Sequence, residues 1–229
     1  MVSAGSDVDE PHTLEVESGL RVSARLVRPA AARACYVLAH GAGAGMDHPF
    51  LRATAAELGA LGIATLRYQF PYMERRSRRP DPPPLCHATV RAAVAAAAPL
   101  AAALPLFAGG RSFGGRMTSQ AQALEPLAGV RGLAFLGFPL HPAGRASGTR
   151  AEHLQQVRIP MLFLQGSRDA LAERSHLEVL MGRLGARATL SLVDEADHSF
   201  HVPARSGRTD AEVRRALLQV LCAWMDSLL

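Results

Sequence analysis

The sequence predicts an α/β fold, a three-layer sandwich in which helices cover both faces of a mostly parallel sheet of eight strands. Three observations support this prediction. Short apolar segments alternate along the chain with longer segments of helical periodicity. The apolar segments are nearly continuous instead of alternating with polar residues, which is typical of strands buried on both faces. Two extended segments near the start, separated by two residues, indicate a hairpin ahead of the alternating part.

The chain is predicted to begin with a flexible tail over residues 1–11, which are mostly small, polar and acidic. Residues 12–229 form one predicted domain, because this length and a hydrophobic content of 48% suffice for a single large core. The first element of the domain is a β-hairpin of strands 12–17 and 20–28 around Ser18 and Gly19.

Six further strands alternate with six helices, and the hairpin brings the number of strands to eight. The predicted strands are 34–39, 63–68, 106–108, 132–138, 161–165 and 189–193. The predicted helices are 49–61, 86–104, 113–124, 151–156, 172–184 and 209–228. In sheets of this kind, active sites lie beyond the carboxyl ends of the strands. Polar residues that directly follow a strand are therefore the candidates for a functional site.

The basic residues of the chain exclude several functional classes. All 25 of them are arginine, and there is no lysine, which excludes Schiff-base chemistry and a lysine-bearing P-loop. The net charge is +5, but the arginine-only, alanine-rich composition indicates a general compositional bias instead of a phosphate-binding surface. We therefore expect no nucleic-acid partner.

The cysteines and the apolar segments indicate the compartment. Cys35, Cys86 and Cys222 are widely spaced and form no C-x-x-C pattern, which argues against a disulfide framework or a zinc site and predicts a cytoplasmic location. No apolar run approaches the roughly 20 residues needed to cross a bilayer, so no membrane partner is expected. The histidines form no recognisable ligand set, and neither a metal nor another cofactor is expected. The oligomeric state stays open between monomer and homodimer.

The most informative motif follows the strand 106–108. Gly110-Arg111-Ser112-Phe113-Gly114 has the form G-x-S-x-G, with a strand before it and a helix after it, as a nucleophile elbow requires. The glycines allow the sharp, strained turn that lifts the Ser112 hydroxyl clear of the sheet at a helix N-terminus. Ser112 is therefore the predicted nucleophile.

A serine hydroxyl needs a base, and in this kind of fold the acid and the histidine follow the serine in that order. Asp169 follows the strand 161–165, and His198 follows the strand 189–193. We expect His198 to take the Ser112 proton and Asp169 to orient the imidazole. His201 stays open as an alternative base.

Two backbone amides are needed to stabilise a developing oxyanion. The first predicted donor is the N–H of Phe113, the residue after the nucleophile. The second lies in the loop His40-Gly41-Ala42-Gly43-Ala44-Gly45, with Ala42 as first candidate and Gly43 as second. The spacing of these glycines is not that of a G-x-G-x-x-G dinucleotide loop, so a nicotinamide or flavin cofactor is not expected.

Several segments resemble a small branch of the α/β-hydrolase superfamily that is related to dienelactone hydrolases. The branch includes bacterial predicted hydrolases, a testis-expressed animal protein and a subunit of a nuclear acetyltransferase complex. The segments are 38–48 (LAHGAGAGMDH), 70–72 (FPY), 110–117 (GRSFGGRM), 137–142 (GFPLHP), 164–169 (LQGSRD) and 197–200 (DHSF). The resemblance implies a Ser-His-Asp triad at Ser112, His198 and Asp169. Dienelactone hydrolases use a cysteine where this chain has Ser112, so their particular reaction is not expected.

The sequence also bears on the substrate. Only residues 140–150 separate the sixth strand from the next helix, which is too short for a cap domain and predicts an open site. The loop after the fourth strand carries Tyr72 and four arginines, of which Arg75 and Arg76 come first, and these are hypothesised to bind an acidic substrate group. A solvated charged loop is the alternative. His141 is a further candidate for lining the site.

These observations predict a serine hydrolase that cleaves an ester, thioester or related acyl bond of a small molecule through an acyl-serine. Two alternatives stay open at this point. One is a non-catalytic interaction scaffold on the same fold. The other is an acyltransferase that uses the same three residues.

Overall fold

The computed structural model describes residues 9–17, 19–142, 144 and 149–229. Within them, eight strands form one sheet in the order β1-β2-β4-β3-β5-β6-β7-β8. The strands are β1 (Asp9–Glu17), β2 (Leu20–Val27), β3 (Ala34–Ala39), β4 (Ile63–Tyr68), β5 (Leu106–Arg111), β6 (Val130–Leu136), β7 (Met161–Gly166) and β8 (Ala188–Val193). Strands β1 and β2 are antiparallel to their neighbours, and the pairs from β4 to β8 are parallel. The predicted eight-stranded, mostly parallel α/β fold is confirmed.

Helices cover the sheet on both faces. They are α1 (Pro49–Ala60), α2 (Pro71–Glu74), α3 (Pro83–Leu100), α4 (Phe113–Leu124), α5 (Arg174–Leu184) and α6 (Asp210–Asp226), with 3-10 segments at Thr149–Gln156, Gly185–Arg187 and Ala204–Ser206. One apolar cluster joins the sheet to α3, α4 and α5, and a second joins it to α1 and α6. The two clusters give the three predicted layers. Strands β3, β4 and β7 are buried along their whole length, which explains their continuous apolar sequence.

Some predicted boundaries differ from the observed ones. The tail was predicted to reach residue 11, but β1 begins at Asp9, because residues 9–11 pair with β2 and the Asp9 carboxylate binds Arg67 at 2.5 Å. Residues 1–8 and Ser18 lie outside the described residues. The predicted helix 151–156 is a 3-10 segment that begins at Thr149. Strand β6 ends at Leu136, before Gly137, whose φ of 73° leaves the extended conformation.

The last helix begins at Asp210, one residue after the predicted start, with Thr209 as its N-cap. The Thr209 side chain accepts from the backbone of Glu212 while the Glu212 carboxylate accepts from the backbone of Thr209, which is a capping box. In the part of the chain that the structure describes, no helix combines the length and the apolar character needed to span a bilayer.

Candidate active site

Ser112 lies in a strained turn between β5 and α4. Its φ is 48° and its ψ is −113°, a backbone conformation that residues other than glycine rarely adopt. The turn presses against β3, because a Cβ on Gly110 would lie 2.3 Å from the carbonyl oxygen of Ala39. Only glycine fits there, as the G-x-S-x-G motif predicts.

The three predicted catalytic side chains meet in one hydrogen-bonded chain. The Ser112 hydroxyl lies 2.9 Å from Nε2 of His198, and Nδ1 of His198 lies 2.7 Å from Oδ2 of Asp169. Since the carboxylate can only accept, Nδ1 carries the proton and Nε2 accepts from the serine. The Asp169 carboxylate is fully buried, whereas His198 is 23% exposed.

The loops that carry the acid and the histidine are packed directly on each other. A Cβ on Gly166, at the end of β7, would lie 2.3 Å from the carbonyl oxygen of Ala196, so the glycine lets the loop after β8 approach. Close to the elbow, Nη2 of Arg111 binds the Ser199 hydroxyl at 3.1 Å, and its guanidinium lies 4.5 Å from the centre of the Phe50 ring. These contacts fix the segment on either side of the histidine.

Gln165, which is not among the sequence-predicted residues, holds the Asp169 carboxylate in place. Its Nε2 donates to Oδ2 of Asp169, and its Oε1 accepts from the backbone N–H of Phe138 at 2.9 Å. The other carboxylate oxygen accepts from the backbone N–H of Leu171 at 2.8 Å. Gln165 is fully buried, and the available signal was one amide at the end of an otherwise apolar strand.

The neighbouring polar groups have other partners. His201 is largely exposed and binds Asp210 at 2.9 Å, so the structure does not bring this alternative base to Ser112. Asp197 accepts from the backbone N–H groups of Ser199 and His201 at 2.7 and 3.0 Å, which stabilises the loop.

A second serine–histidine hydrogen bond occurs between α4 and the 3-10 segment Thr149–Gln156. Ser119 Oγ lies 2.8 Å from Nε2 of His153. Ser119 is fully buried within the helix, and no carboxylate contacts His153 among the described residues. Burial, together with the charge of Arg116, lowers the pKa of His153 to about 4. This pair therefore joins two elements but lacks the acid that a catalytic histidine needs.

The loop after β3 lies beside the nucleophile and has a fixed shape. His40 is fully buried, accepts from the Phe70 N–H at 3.0 Å through Nε2 and donates to the Gly41 carbonyl at 2.8 Å through Nδ1. Burial lowers the pKa of His40 to about 4, so the ring stays neutral at neutral pH. The Gly43 N–H donates to the Tyr72 hydroxyl at 3.2 Å and is therefore engaged.

Of the predicted oxyanion donors, Phe113 and Ala42 keep free amides. Neither N–H donates to an acceptor in the described part of the chain, and both residues line one cavity with Ser112. Phe113 is the first residue of α4, where backbone N–H groups lack a helical partner. The geometry thus favours Ala42 over Gly43 as the second donor.

The residues that were predicted to bind substrate do not line this cavity. Tyr72 is fully buried, and its hydroxyl accepts from Gly43. Arg75 pairs with Asp81, and Arg76 is exposed. His141 is buried with its Nδ1 at 2.9 Å from the carbonyl of Pro142.

The cavity beside Ser112 has a volume of about 460 Å³ and is partly open. Its described lining residues are Ala42, Pro80, Asp81, Pro83, Ser112, Phe113, Arg116, Met117, Pro139, Arg150 and Leu171. Arg116 and Arg150 were not among the sequence-predicted residues. The site can therefore present an activated hydroxyl, two backbone donors and a mostly apolar pocket to an acyl compound of modest size.

Comparison with solved structures supports the fold. A dienelactone hydrolase from Anabaena variabilis superimposes with a TM-score of 0.76 at 22% identity over 96% of this chain and 98% of that one. An alpha-beta serine hydrolase homologue from Coxiella burnetii gives 0.74 at 19% over 93% and 98% of the two chains. A serine hydrolase without lid from Xanthomonas campestris gives 0.73 at 20% over 94% of each.

These neighbours share the fold over nearly the whole chain and have no extra cap. A model of the family described as alpha/beta hydrolase domain matches residues 32–226, and the resemblance noted from the sequence is confirmed. The chain belongs to this family of alpha/beta hydrolase domains.

Proposed function

We propose that this protein is a serine hydrolase that cleaves an ester, thioester or related acyl bond of a small molecule through an acyl-serine intermediate. The observation that carries the proposal is the hydrogen-bonded chain from Ser112 through His198 to the buried Asp169, which ends in a cavity of about 460 Å³. Family membership supports the same reaction class.

The proposed reaction has two halves. In the first, Ser112 Oγ attacks the acyl carbon while His198 takes its proton, and that proton then passes to the departing alcohol or thiol as its bond to the acyl carbon breaks. In the second, water attacks the acyl carbon and gives a proton to His198. The bond between the acyl carbon and Ser112 Oγ then breaks, the serine oxygen takes the proton from His198, and the acid is released. The Asp169 carboxylate stabilises the imidazolium that forms in each half.

The oxyanion of each tetrahedral intermediate would lie between the amides of Phe113 and Ala42. A donor of this kind typically contributes about 10²–10³ in rate, because it is already oriented when the charge develops. The α4 N-terminus adds the partial positive charge of the helix dipole at the same place.

The cysteines support a reducing compartment such as the cytoplasm. Cys35, Cys86 and Cys222 are all free and buried. Burial raises the pKa of the Cys35 thiol to about 12, which keeps it protonated and unreactive.

Labelling with a fluorophosphonate probe tests the proposal, because the probe reacts only with an activated serine. We expect wild-type protein to be labelled and the Ser112→Ala and His198→Ala variants to lose labelling. Ser119→Ala is the matched control, because Ser119 also binds a histidine but lacks an acid, and its labelling should equal that of wild type.

A panel of p-nitrophenyl esters and acyl-CoAs then identifies the acyl bond that is cleaved. Analysis of products with added alcohol separates hydrolysis from acyl transfer, since transfer gives a new ester in place of the free acid. Absence of labelling in folded wild-type protein would refute the hydrolase and favour an interaction scaffold.

A further inference from the structure

The cavity beside Ser112 contains two arginines that have no acidic partner. Arg116 and Arg150 both line it, and within the described residues neither forms a hydrogen bond or ion pair with a carboxylate through its guanidinium. Unpaired cations in a partly buried place are unfavourable, because they lose hydration without gaining a counter-charge. Such a pair is suited to a ligand that brings the missing negative charge.

Arg116 lies one helical turn beyond the nucleophile. Its backbone N–H donates to the Ser112 carbonyl at 3.1 Å, and residues four apart on a helix have Cβ atoms about 5–6 Å from each other on the same face. Its guanidinium carbon lies 5.7 Å from the centre of the Phe113 ring, and its Nε is buried without a hydrogen-bond partner. Burial, and then the charge of Arg150, lowers the pKa of Arg116.

Arg150 is held at the cavity by a built element. It lies in the 3-10 segment Thr149–Gln156, in which Ala151 and Leu154 are buried against the core. His153 of the same segment binds Ser119 on α4 at 2.8 Å, so the segment is fixed to the helix that carries Arg116. The two arginines are therefore placed together by the fold.

The described lining of the cavity has excess positive charge. The acidic residue in its described lining is Asp81, whose carboxylate pairs with the exposed Arg75. Because Arg75 already pairs with this aspartate, Arg116 and Arg150 are the charged residues of the described lining that lack a counter-charge.

We propose that Arg116 and Arg150 bind a carboxylate at the far end of the acyl group, so that the substrate is a monoester of a dicarboxylic acid. The proposal rests on the proposed hydrolase function and adds the substrate class. The ester carbonyl lies at Ser112, and the methylene chain runs along apolar walls such as Met117, Pro139 and Leu171. Guanidinium groups bind carboxylates through paired N–H donors, which gives both affinity and orientation. The exposed arginines of the loop after β4 are not part of this subsite.

Paired substrates test the proposal directly. Mono-p-nitrophenyl esters of succinate, glutarate and adipate are compared with the same esters in which the free carboxylate is capped as a methyl ester. Wild-type protein should have a higher kcat/KM for the free carboxylate at one or more chain lengths. Arg116→Gln and Arg150→Gln should each lower the ratio of the two kcat/KM values at least tenfold, mainly through KM.

Arg79→Gln is the matched control for net charge. It removes one positive charge from an exposed position of the loop after β4, and the ratio should stay within about twofold of wild type. Arg116→Lys provides a second variant with its charge retained, and it should lower the ratio less than Arg116→Gln does. Thermal unfolding checks that each variant is folded.

Direct binding separates this proposal from the proposed function. Calorimetric titration of glutarate into Ser112→Ala protein needs no turnover, and Arg116→Gln on that background should weaken binding about tenfold. Binding without any hydrolysis of esters would support the subsite and refute the hydrolase. Equal kcat/KM for free and capped esters, or an equal loss for both in the arginine variants, would overturn the subsite.

Discussion

Gly114 lies where the first turn of helix α4 packs against the end of strand β3, and its replacement by alanine tests how precisely the nucleophile elbow must be positioned. A Cβ at this position would lie 2.5 Å from the carbonyl oxygen of His40 and 2.7 Å from the carbonyl carbon of Ala39. Both are backbone atoms, which cannot move aside as a flexible side chain would. The start of α4 would have to move away from the loop after β3, which carries Ala42.

The size of the effect follows from the distances. The new Cβ is about 0.9 Å short of the 3.4 Å at which ordinary contact begins, so a shift of this order is needed between Phe113 and Ala42. A misplacement of about 1 Å can reduce a rate about 10²-fold. Overpacking costs about 1–3 kcal/mol, partly offset by the gain of about 1 kcal/mol in helix propensity. We expect kcat/KM and the labelling rate to fall about 100-fold, with a loss of about 0–2 kcal/mol in unfolding free energy.

Gly182→Ala is the matched control for this substitution. Gly182 lies in helix α5, is exposed, and has open space where a Cβ would be added. We expect unchanged kinetics and a gain of about 0.5–1 kcal/mol in urea unfolding. Wild-type labelling and ester hydrolysis by a folded Gly114→Ala protein would show that donor placement does not limit the reaction.

Three further predictions concern groups that support the site. Gln165→Leu leaves the Phe138 N–H without a partner and removes one of the two donors to Asp169 Oδ2, so urea unfolding should show a loss of about 1–3 kcal/mol and kcat should fall more than tenfold; unchanged kcat would refute its role. Tyr72→Phe removes the acceptor of the loop amide, and steady-state kinetics should show a lower kcat at similar KM. In the folded protein His40 stays neutral until the pH falls to its pKa of about 4, whereas in the unfolded chain it is protonated below about 6.5. Its contribution to the unfolding free energy is therefore fully present above pH 6.5 and is lost as the pH falls to 4. That contribution is about 3 kcal/mol, and a flat unfolding free energy between pH 6.5 and 4 would contradict it.

The fold and the meeting of the three candidate catalytic residues could be predicted from the sequence, because both depend on local patterns and on the positions of strand ends. Loops after parallel strands meet at one edge of a sheet, so Asp169 and His198 could be paired with Ser112 although they are distant in the chain. The structure also brings Phe113 and Ala42 to the same place. These predictions needed only the positions of the strands and their order.

The residues that line the cavity could not all be predicted, because their positions depend on contacts that no local sequence pattern indicates. Arg75 was a reasonable candidate on charge alone, but it is exposed, pairs with Asp81 and is not among the described lining residues of the cavity. Arg116 could have been found from its spacing of four residues after the nucleophile on one helix face. Arg150 could not, because its place depends on the His153–Ser119 contact between two elements. The sequence placed Ala42 ahead of Gly43 as second donor but left both open, and the hydrogen bond from the Gly43 N–H to the Tyr72 hydroxyl is visible only in the structure.

Two unfavourable features lie at the same cavity, and their coincidence bears on function. Ser112 is held at a positive φ, which costs on the order of 1–3 kcal/mol and persists only because the surrounding packing enforces it. Arg116 has a buried Nε without a partner, which is also unfavourable. A fold that served only as an interaction scaffold would gain stability from a glycine at 112 and an apolar residue at 116. Under the proposed function, the strained turn presents the Ser112 hydroxyl to an acyl carbonyl, and the substrate carboxylate supplies the counter-charge that Arg116 lacks. The two proposals together would therefore account for both costs in stability.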